Sequence, residues 1–182
     1  MSAFDTWVTK LIGVEGGYSN NPDDVGGATK FGITEKTARE EGYSGQMQDL
    51  TFDIAKAIYK RRYWDHLRLD DVAISSKAIA FEMGDTYVNT GISGQFLQRL
   101  LNVLNRQQKD YPDIAADGVV GPSTLAALRS FLVARGADGE RVLLAGLNAL
   151  QGYHYVTITE QRERNESFMY GWLLQRVVKE AA

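Results

Sequence analysis

The residues best suited to do chemistry in this chain are carboxylates around a glycine-rich stretch at residues 15–34. Glu15 ends an apolar helical pattern and is followed directly by two glycines and a loop that is too polar to be core. A carboxyl group at such a place can act as a general acid, because partial burial lets it donate a proton near neutral pH. The stretch therefore predicts proton transfer carried by carboxylates.

The element that must position Glu15 is a helix predicted from one apolar stripe, which consists of Phe4, Trp7, Val8, Leu11 and Ile12. Ser2 can cap the start of this helix together with Asp5. Glu15 follows Phe4 by eleven residues. At about 100° per residue it returns to within about 20° of the same direction. We therefore expect Glu15 to point toward the core.

The end of this helix affects the expected pKa of Glu15. Gly16 and Gly17 are predicted to end the helix, since glycine adopts the left-handed conformation of a C-cap. Glu15 then lies in the last turn, where free carbonyl groups make the local field negative. Burial and this field both raise the pKa of Glu15, as a general acid near neutral pH requires. The alternative that the pattern leaves open is a structural Glu15 paired with an arginine elsewhere.

Composition excludes several other kinds of site. The 182 residues are 44% hydrophobic and 24% charged, which is typical of a globular protein. The chain has no cysteine and only two histidines, His66 and His154, neither in a motif for zinc or for a serine triad. We predict no metal and no cofactor. The net charge of −3 gives no electrostatic reason to expect nucleic acid as a partner.

The N-terminus lacks the basic and apolar regions of a signal peptide. No apolar run approaches the roughly 18 residues that span a bilayer. We therefore expect a protein made in the cytoplasm, with no signal peptide and no stable membrane insertion.

Turn and cap residues predict short helices along the rest of the chain. The loop after Glu15 is predicted to hold at most a short hairpin, in which Tyr18, Val25 and residues 31–33 pair around a turn at Gly26 and Gly27. The other predicted helix starts are Thr34 and Thr51, and Asp70-Asp71 and Ser75-Ser76 both offer caps for a further helix. The predicted helix ends are Gly42, Gly91 and Gly136.

Two of the predicted helices carry candidate residues or an assigned face. The helix after Thr51 is predicted to bury Phe52, Ala55, Ile58 and Tyr59. The helix that ends at Gly91 is predicted to run through Ala78, Phe81 and Val88. Its flank carries a polar column of Glu82, Asp85 and Asn89. Such a column is usually solvated, but it could equally line a cleft.

Several motifs together resemble glycoside hydrolase family 108. They are Glu15-Gly16-Gly17-Tyr18, Asn21-Pro22-Asp23-Asp24, Gly26-Gly27-Ala28-Thr29, Phe31-Gly32-Ile33-Thr34, Tyr63-Trp64 and Asp85-x-x-Val88-Asn89-x-Gly91. The second half resembles the peptidoglycan-binding module that accompanies this family. Its motifs are Leu97-Gln98-Arg99-Leu100-Leu101-Asn102, Asp117-Gly118-x-x-Gly121-Pro122-x-Thr124 and Phe168-x-x-Gly171-Trp172-Leu173. The resemblance covers nearly the whole chain.

The resemblance implies a mainly α, lysozyme-like fold with at most a short β-hairpin after the first helix, packed on a small helical C-terminal module. The catalytic domain would be residues 1–92 and the peptidoglycan-binding module residues 93–182. The implied activity is that of an N-acetylmuramidase, which cleaves the β-1,4 bond between N-acetylmuramic acid and N-acetylglucosamine with Glu15 as the catalytic residue.

The resemblance also implies a setting, that of a bacteriophage endolysin acting on bacterial peptidoglycan. Such a protein collects in the host cytoplasm and needs a holin to reach the periplasm and the cell wall. We expect a monomer.

Other site residues follow from a similarity to phage lysozymes of a neighbouring family. Those enzymes place an Asp nine residues after the Glu and a Thr six residues beyond it. Here the first position is Asp24, whereas the second is Lys30, with Thr29 one residue short. Asp24 is thus a candidate for positioning water or stabilising the sugar cation, and Thr29 is a further candidate. Retention and inversion at the sugar both stay open.

The remaining candidates would bind substrate. The aromatic residues Tyr18, Phe31, Tyr63 and Trp64 are candidates for stacking on sugars, with core packing as the alternative for each. The polar residues Asn20, Asn21, Asp85 and Asn89 are candidates for binding N-acetyl and hydroxyl groups.

Two other functions stay open. One is a lytic transglycosylase, which needs the acid but no water-activating base. The other is a non-catalytic murein-binding or secretion-related protein.

Overall fold

The computed structural model of the chain describes residues 1–15, 17–19 and 27–178, without the side chains of residues 14 and 15. These residues are mainly α-helical, and their one sheet is a two-stranded hairpin after the first helix. The predicted fold class is thereby confirmed. The chain forms two compact units, Met1–His66 and Leu67–Ala182. The domain boundary at residue 92 stays a prediction.

The first unit combines short helices with the hairpin. Its elements are α1 (Ala3–Glu15), β1 (Thr29–Lys30), β2 (Ile33–Thr34), α2 (Glu35–Glu40), a 3₁₀ turn (Met47–Asp49), α3 (Phe52–Tyr59) and a π-helical segment (Lys60–Asp65).

Helix α1 begins with the predicted cap and buries most of the predicted stripe. The Asp5 amide donates to the Ser2 hydroxyl at 3.0 Å, and that hydroxyl donates back to the Asp5 carboxylate at 2.8 Å. Phe4 and Trp7 are buried against Trp64, with ring centroids 5.6 and 5.3 Å from it. Lys56 of α3 forms an ion pair with Asp5 at 2.6 Å, which together with the Ser2 hydrogen bonds lowers the pKa of Asp5. The cap and this ion pair fix the start of α1.

Helices α2 and α3 start where their caps predict. The Thr34 hydroxyl accepts from the Thr37 amide at 3.2 Å, and the Thr51 hydroxyl accepts from the Ile54 amide at 3.3 Å. The buried face assigned to α3 was wrong at one residue, because Phe52 is 38% exposed. Phe52 is the first residue of α3 and lies on its outer side, whereas Ala55, Ile58 and Tyr59 are buried as predicted.

The second unit is a helical bundle. Its elements are α4 (Leu69–Ser75), α5 (Lys77–Thr90), α6 (Ser93–Leu104), α7 (Pro122–Glu160), a 3₁₀ turn (Glu163–Asn165), α8 (Glu166–Trp172) and a π-helical segment (Leu173–Val178). Helix α5 packs against α4, α6 and α7. The segments after α7 fold back onto α7. The bundle therefore surrounds α5 on several sides.

The position of α5 among its neighbours determines which of its residues are buried. Ala78 is exposed, and Phe81 and Val88 are only half-buried. The buried residues are instead Ile79, Ala80, Glu82, Met83, Gly84 and Thr86. Thr86 donates a hydrogen bond to the Glu82 carboxylate at 3.1 Å, so two of the buried side chains of α5 are polar and bonded to each other. The start at Ser76 and the end at Gly91, which has φ 72°, are as predicted.

Helix α7 contains a break at the predicted helix end, Gly136. This residue has φ 59° and ψ −145°. Residues other than glycine rarely adopt this backbone conformation. The helical segments before and after Gly136 therefore run in different directions.

The connection between α6 and α7 is organised by the buried side chain of Gln98. Its amide nitrogen donates to the Asp117 carboxylate, the Val119 carbonyl and the Thr124 hydroxyl at 3.0 to 3.2 Å. Its oxygen accepts from the Gly118 amide at 2.7 Å. The motif Asp117-Gly118-x-x-Gly121-Pro122-x-Thr124 therefore shapes this loop around one glutamine.

Candidate active site

The proposed acid stands at the boundary of a helix. Helix α1 ends at Glu15, and its last turn contains no basic residue that would offset the negative field of the terminal carbonyl groups. The side chain of Glu15 lies outside the described residues. Its inward direction and raised pKa therefore stay predictions.

The strand nearest to Glu15 in sequence is held by a pair of backbone hydrogen bonds. The Ser19 amide donates to the Thr29 carbonyl at 2.8 Å, and the Thr29 amide donates to the Ser19 carbonyl at 2.7 Å. Thr29 also pairs with Thr34 across the hairpin. The Ser19–Thr29 pair thus closes the loop that carries Asn20, Asn21 and Asp24, which themselves lie outside the described residues.

The hairpin turns at Phe31 and Gly32, so the predicted pairing of residues 31–33 as one strand was wrong. Both residues have left-handed backbones, with φ 53° and 72°. Two-residue hairpin loops prefer this combination because its twist matches that of the flanking strands. The Tyr59 hydroxyl donates to the Phe31 carbonyl at 3.1 Å. Phe31 therefore holds a conformation that is uncommon for a side chain of its size.

The four aromatic candidates lie in different surroundings. Tyr18 is 42% exposed, whereas Trp64 is fully buried between Phe4 and Trp7. Phe31 and Tyr63 are half-buried. Tyr18 and Phe31 remain available to a ligand from solvent, whereas Trp64 is a core residue that a ligand cannot reach.

The two polar candidates on α5 lie close together but differ in exposure. Arg176 donates to the Asp85 carboxylate at 2.9 Å, and both side chains are about four-fifths buried, with 17% and 21% exposed. Asn89 is exposed and donates to the Asp85 backbone carbonyl at 2.7 Å. Near this pair, burial raises the pKa of Tyr155 to about 12, which keeps the phenol neutral. The sugar-binding roles of Asp85 and Asn89 stay predictions.

Comparison with known families identifies the segment that contains these residues. Residues 8–91 match the family model described as Glycosyl hydrolase 108. This part of the chain belongs to the glycosyl hydrolase 108 family. Residues 93–177 match the model described as Predicted Peptidoglycan domain. The resemblance predicted from the motifs is thus confirmed, and the chain is a glycoside hydrolase that carries a peptidoglycan domain.

A solved structure supports the same assignment. SagA of Brucella abortus shares 26% sequence identity with the chain, with a TM-score of 0.61. The match covers 91% of this chain and 95% of SagA. No protein among those with curated functions matches the chain.

Two features of the glycosyl hydrolase 108 segment were missed from the sequence. Phe52 was assigned to the core, but its ring stands edge-on to Phe31 with centroids 6.2 Å apart at the surface. Glu35 was not among the predicted site residues. A Cβ placed on Gly27 would lie 3.4 Å from the Glu35 carboxylate, so this group faces the end of the loop. The available signal for Phe52 and Glu35 was that each is the first residue of its helix, where a side chain can face away from the core.

Glu35 is already held by a neighbour. Arg39 donates to its carboxylate at 2.7 Å, one turn along α2.

Within the described parts of the chain, no group of three or more acidic, histidine or cysteine side chains could hold a metal ion. Across the same residues, no helix is both long enough and apolar enough to cross a membrane.

Proposed function

We propose that the protein is an N-acetylmuramidase that cleaves the β-1,4 bond between N-acetylmuramic acid and N-acetylglucosamine in peptidoglycan. The observation that carries the proposal is the succession, in one chain, of a glycosyl hydrolase 108 segment and a predicted peptidoglycan domain. The first supplies hydrolysis of a glycosidic bond, and the second names the polymer. Together they favour a glycan of the bacterial wall as substrate.

The proposed acid is Glu15. Its place at the end of α1 supports this role, because the negative field of a helix terminus favours a protonated carboxyl group. Glu15 donates its proton to the oxygen that bridges the two sugars. The bond from that oxygen to the anomeric carbon then breaks, the oxygen leaves with its own sugar, and positive charge develops on the ring that keeps the anomeric carbon.

The second group is proposed to come from the loop closed by Ser19 and Thr29. Asp24 would stabilise the sugar cation or activate the water that attacks it. The Thr29 hydroxyl lies at the end of this loop, where its contact with the Gly27 carbonyl is long, at 3.5 Å. It therefore keeps most of its capacity to hold a water molecule.

Substrate contacts are proposed on the surface beside the hairpin. Tyr18 and Phe31 expose parts of their rings, and aromatic faces stack on the apolar sides of sugars.

The endolysin role is proposed as well, on the family resemblance alone. It predicts that cell fractionation finds the protein in the host cytoplasm until a holin opens the inner membrane, and a periplasmic pool before lysis would contradict it.

The test is product analysis on purified peptidoglycan sacculi. Native protein should release new reducing ends with muramic acid at the cut, and Glu15→Gln should lose at least about a hundredfold in rate. Glu40→Gln is the matched control, since Glu40 is exposed on α2 and pairs with Arg62. It should cut at the native rate.

Three outcomes would overturn the proposal. Products lighter by one water molecule would identify a lytic transglycosylase. Binding to sacculi without release of fragments would identify a murein-binding protein. Full activity of Glu15→Gln would remove Glu15 from the reaction.

A further inference from the structure

A cleft of about 500 Å³ lies at the break in α7, within the peptidoglycan domain. It is lined by Leu104 of α6 and by Phe131, Ala134, Arg135, Asp138 and Val142 of α7. Clefts of a few hundred Å³ are the usual size for small ligands. No role in the proposed glycosidase reaction is assigned to any of these residues.

Two glycines create the cleft. Gly136 turns the helix with φ 59° and ψ −145°. A Cβ on Gly139 would lie 2.5 Å from the Cβ of Arg135 and 3.2 Å from the Phe131 ring. Glycine at both positions therefore lets the second half of α7 approach the first half closely. Gly139 itself lines the cleft.

The walls combine an apolar floor with two opposite charges. Phe131 is buried at the bottom, and Val142 is 48% exposed on one side. Arg135 and Asp138 are both exposed. Asp138 accepts a hydrogen bond from Arg141 at 3.1 Å, but both side chains of this pair are more than four-fifths exposed, so the pair is weak and easily replaced. The cleft therefore offers one cationic and one anionic partner beside aliphatic surface.

We propose that this cleft binds the peptide stems of peptidoglycan, and specifically a stem with a free zwitterionic side-chain end. This inference rests on the proposed function, because it takes peptidoglycan as the polymer. Arg135 binds the carboxylate of the diamino acid, Asp138 binds its ammonium group, and alanine methyl groups contact Leu104 and Val142.

The same walls are poorly suited to sugar. Sugars need exposed aromatic faces and several hydrogen-bonding side chains. Among the residues that line the cleft, the aromatic ring is Phe131, which is 2% exposed, and the polar side chains are Arg135 and Asp138. A ligand with methyl groups and a pair of opposite charges fits these walls better than a chain of hydroxyl groups does.

The experiment compares two synthetic stem tetrapeptides on the full chain carrying Glu15→Gln. One contains diaminopimelate at its third position, and the other contains lysine, which lacks the carboxylate. Binding is measured by calorimetry and by NMR shifts of backbone amides. The diaminopimelate peptide should shift residues 131–142 and bind about tenfold more tightly than the lysine peptide. Chitotetraose, a soluble chain of N-acetylglucosamine, should leave these resonances unchanged.

Variants assign this preference to the guanidinium group. Arg135→Gln should remove the difference between the two peptides. Arg129→Gln is the matched control, because Arg129 is exposed on the same helix outside the cleft and should keep the tenfold preference. Ala134→Trp should fill the cleft and weaken both peptides equally.

The inference is overturned if neither peptide shifts residues 131–142, if both bind native Arg135 equally, or if chitotetraose shifts the cleft resonances instead. Release of reducing ends from sacculi by native protein is measured separately. Activity with a silent cleft overturns this inference alone, and peptide binding without activity overturns the muramidase proposal alone.

Discussion

Arg176 and Asp85 form an ion pair at 2.9 Å that joins the peptidoglycan domain to the last helix of the glycosyl hydrolase 108 segment. Both residues belong to one compact unit, Leu67–Ala182. The two family segments therefore share a core, and changes at their contact should be felt by both.

The ion pair should contribute measurably to stability because it is largely removed from water. Asp85→Asn and Arg176→Gln should each lower the free energy of unfolding by about 1–3 kcal/mol. The double variant should lose less than the sum, with a coupling energy of about 1 kcal/mol. Urea denaturation of the four proteins measures this coupling. An Asp85→Asn variant of native stability but raised KM would instead assign Asp85 to substrate.

Gln98 of α6 should contribute more to stability than another polar side chain that α6 directs at the loop before α7, Gln95. Gln98→Ala removes the hydrogen-bond partner of the half-buried Gly118 amide and of the buried Thr124 hydroxyl, so it should cost about 2–4 kcal/mol. Gln95→Ala is the control, since Gln95 makes one bond to this loop, to the Ala116 carbonyl, and should cost about 1 kcal/mol. Equal losses in urea denaturation would contradict the central position of Gln98.

Two helical glycines should respond in opposite directions to the same substitution. In Gly94→Ala the new Cβ would lie 2.3 Å from the Gly118 carbonyl oxygen, so the loop must shift at a cost of about 2 kcal/mol. In Gly171→Ala no described atom lies within 4 Å, and the lower entropy of the unfolded chain should add about 0.5–1 kcal/mol. Thermal unfolding of the two variants checks both signs, and a stabilised Gly94→Ala would refute the close approach.

The role of the Phe31 ring can be separated from the role of its backbone. Asn takes the left-handed conformation at lower cost than Phe, so Phe31→Asn should relieve strain in the turn while losing ring contacts to Phe52. We expect a melting temperature within a few degrees of native and a KM for soluble peptidoglycan fragments raised several-fold. An unchanged KM would show that the ring serves the fold only.

His154 should make the second unit sensitive to mild acid. Burial lowers the pKa of His154 below its ordinary value of 6.5. As pH falls through that value the unfolded chain takes up the proton first, so stability is present above about pH 6.5 and decreases below it. Melting temperatures between about pH 7.5 and pH 5.5 should fall more steeply for native protein than for His154→Gln. Equal slopes for the two proteins would contradict this role of His154.

Helix boundaries could be predicted from sequence because their determinants are local. At Ser2, Thr34, Thr51 and Ser76, a side chain bonds a backbone amide three residues later. Gly91 and Gly136 mark a helix end and a helix break through their own backbone angles. None of these features requires knowledge of a distant part of the chain.

Helix faces and the hairpin turn could not be predicted because other parts of the fold decide them. Glu82 is polar by type but is buried, since α4, α6 and α7 enclose its helix. Phe52 is apolar but exposed, because it pairs with Phe31 at the surface. The turn at Phe31 needs a left-handed phenylalanine, which is stabilised by the hydroxyl of Tyr59, 28 residues away. The position of Glu15 at a helix end is local and was predicted correctly.

Because of the break at Gly136, the apolar faces of the two halves of α7 need not lie along one continuous helical stripe. Phe131 and Leu143 are both buried, yet on a straight helix these positions, twelve residues apart, would point about 120° away from each other. The change of direction between them lets each half turn its own apolar stripe inward. A straight helix over the same 39 residues would instead leave part of one stripe outside the core.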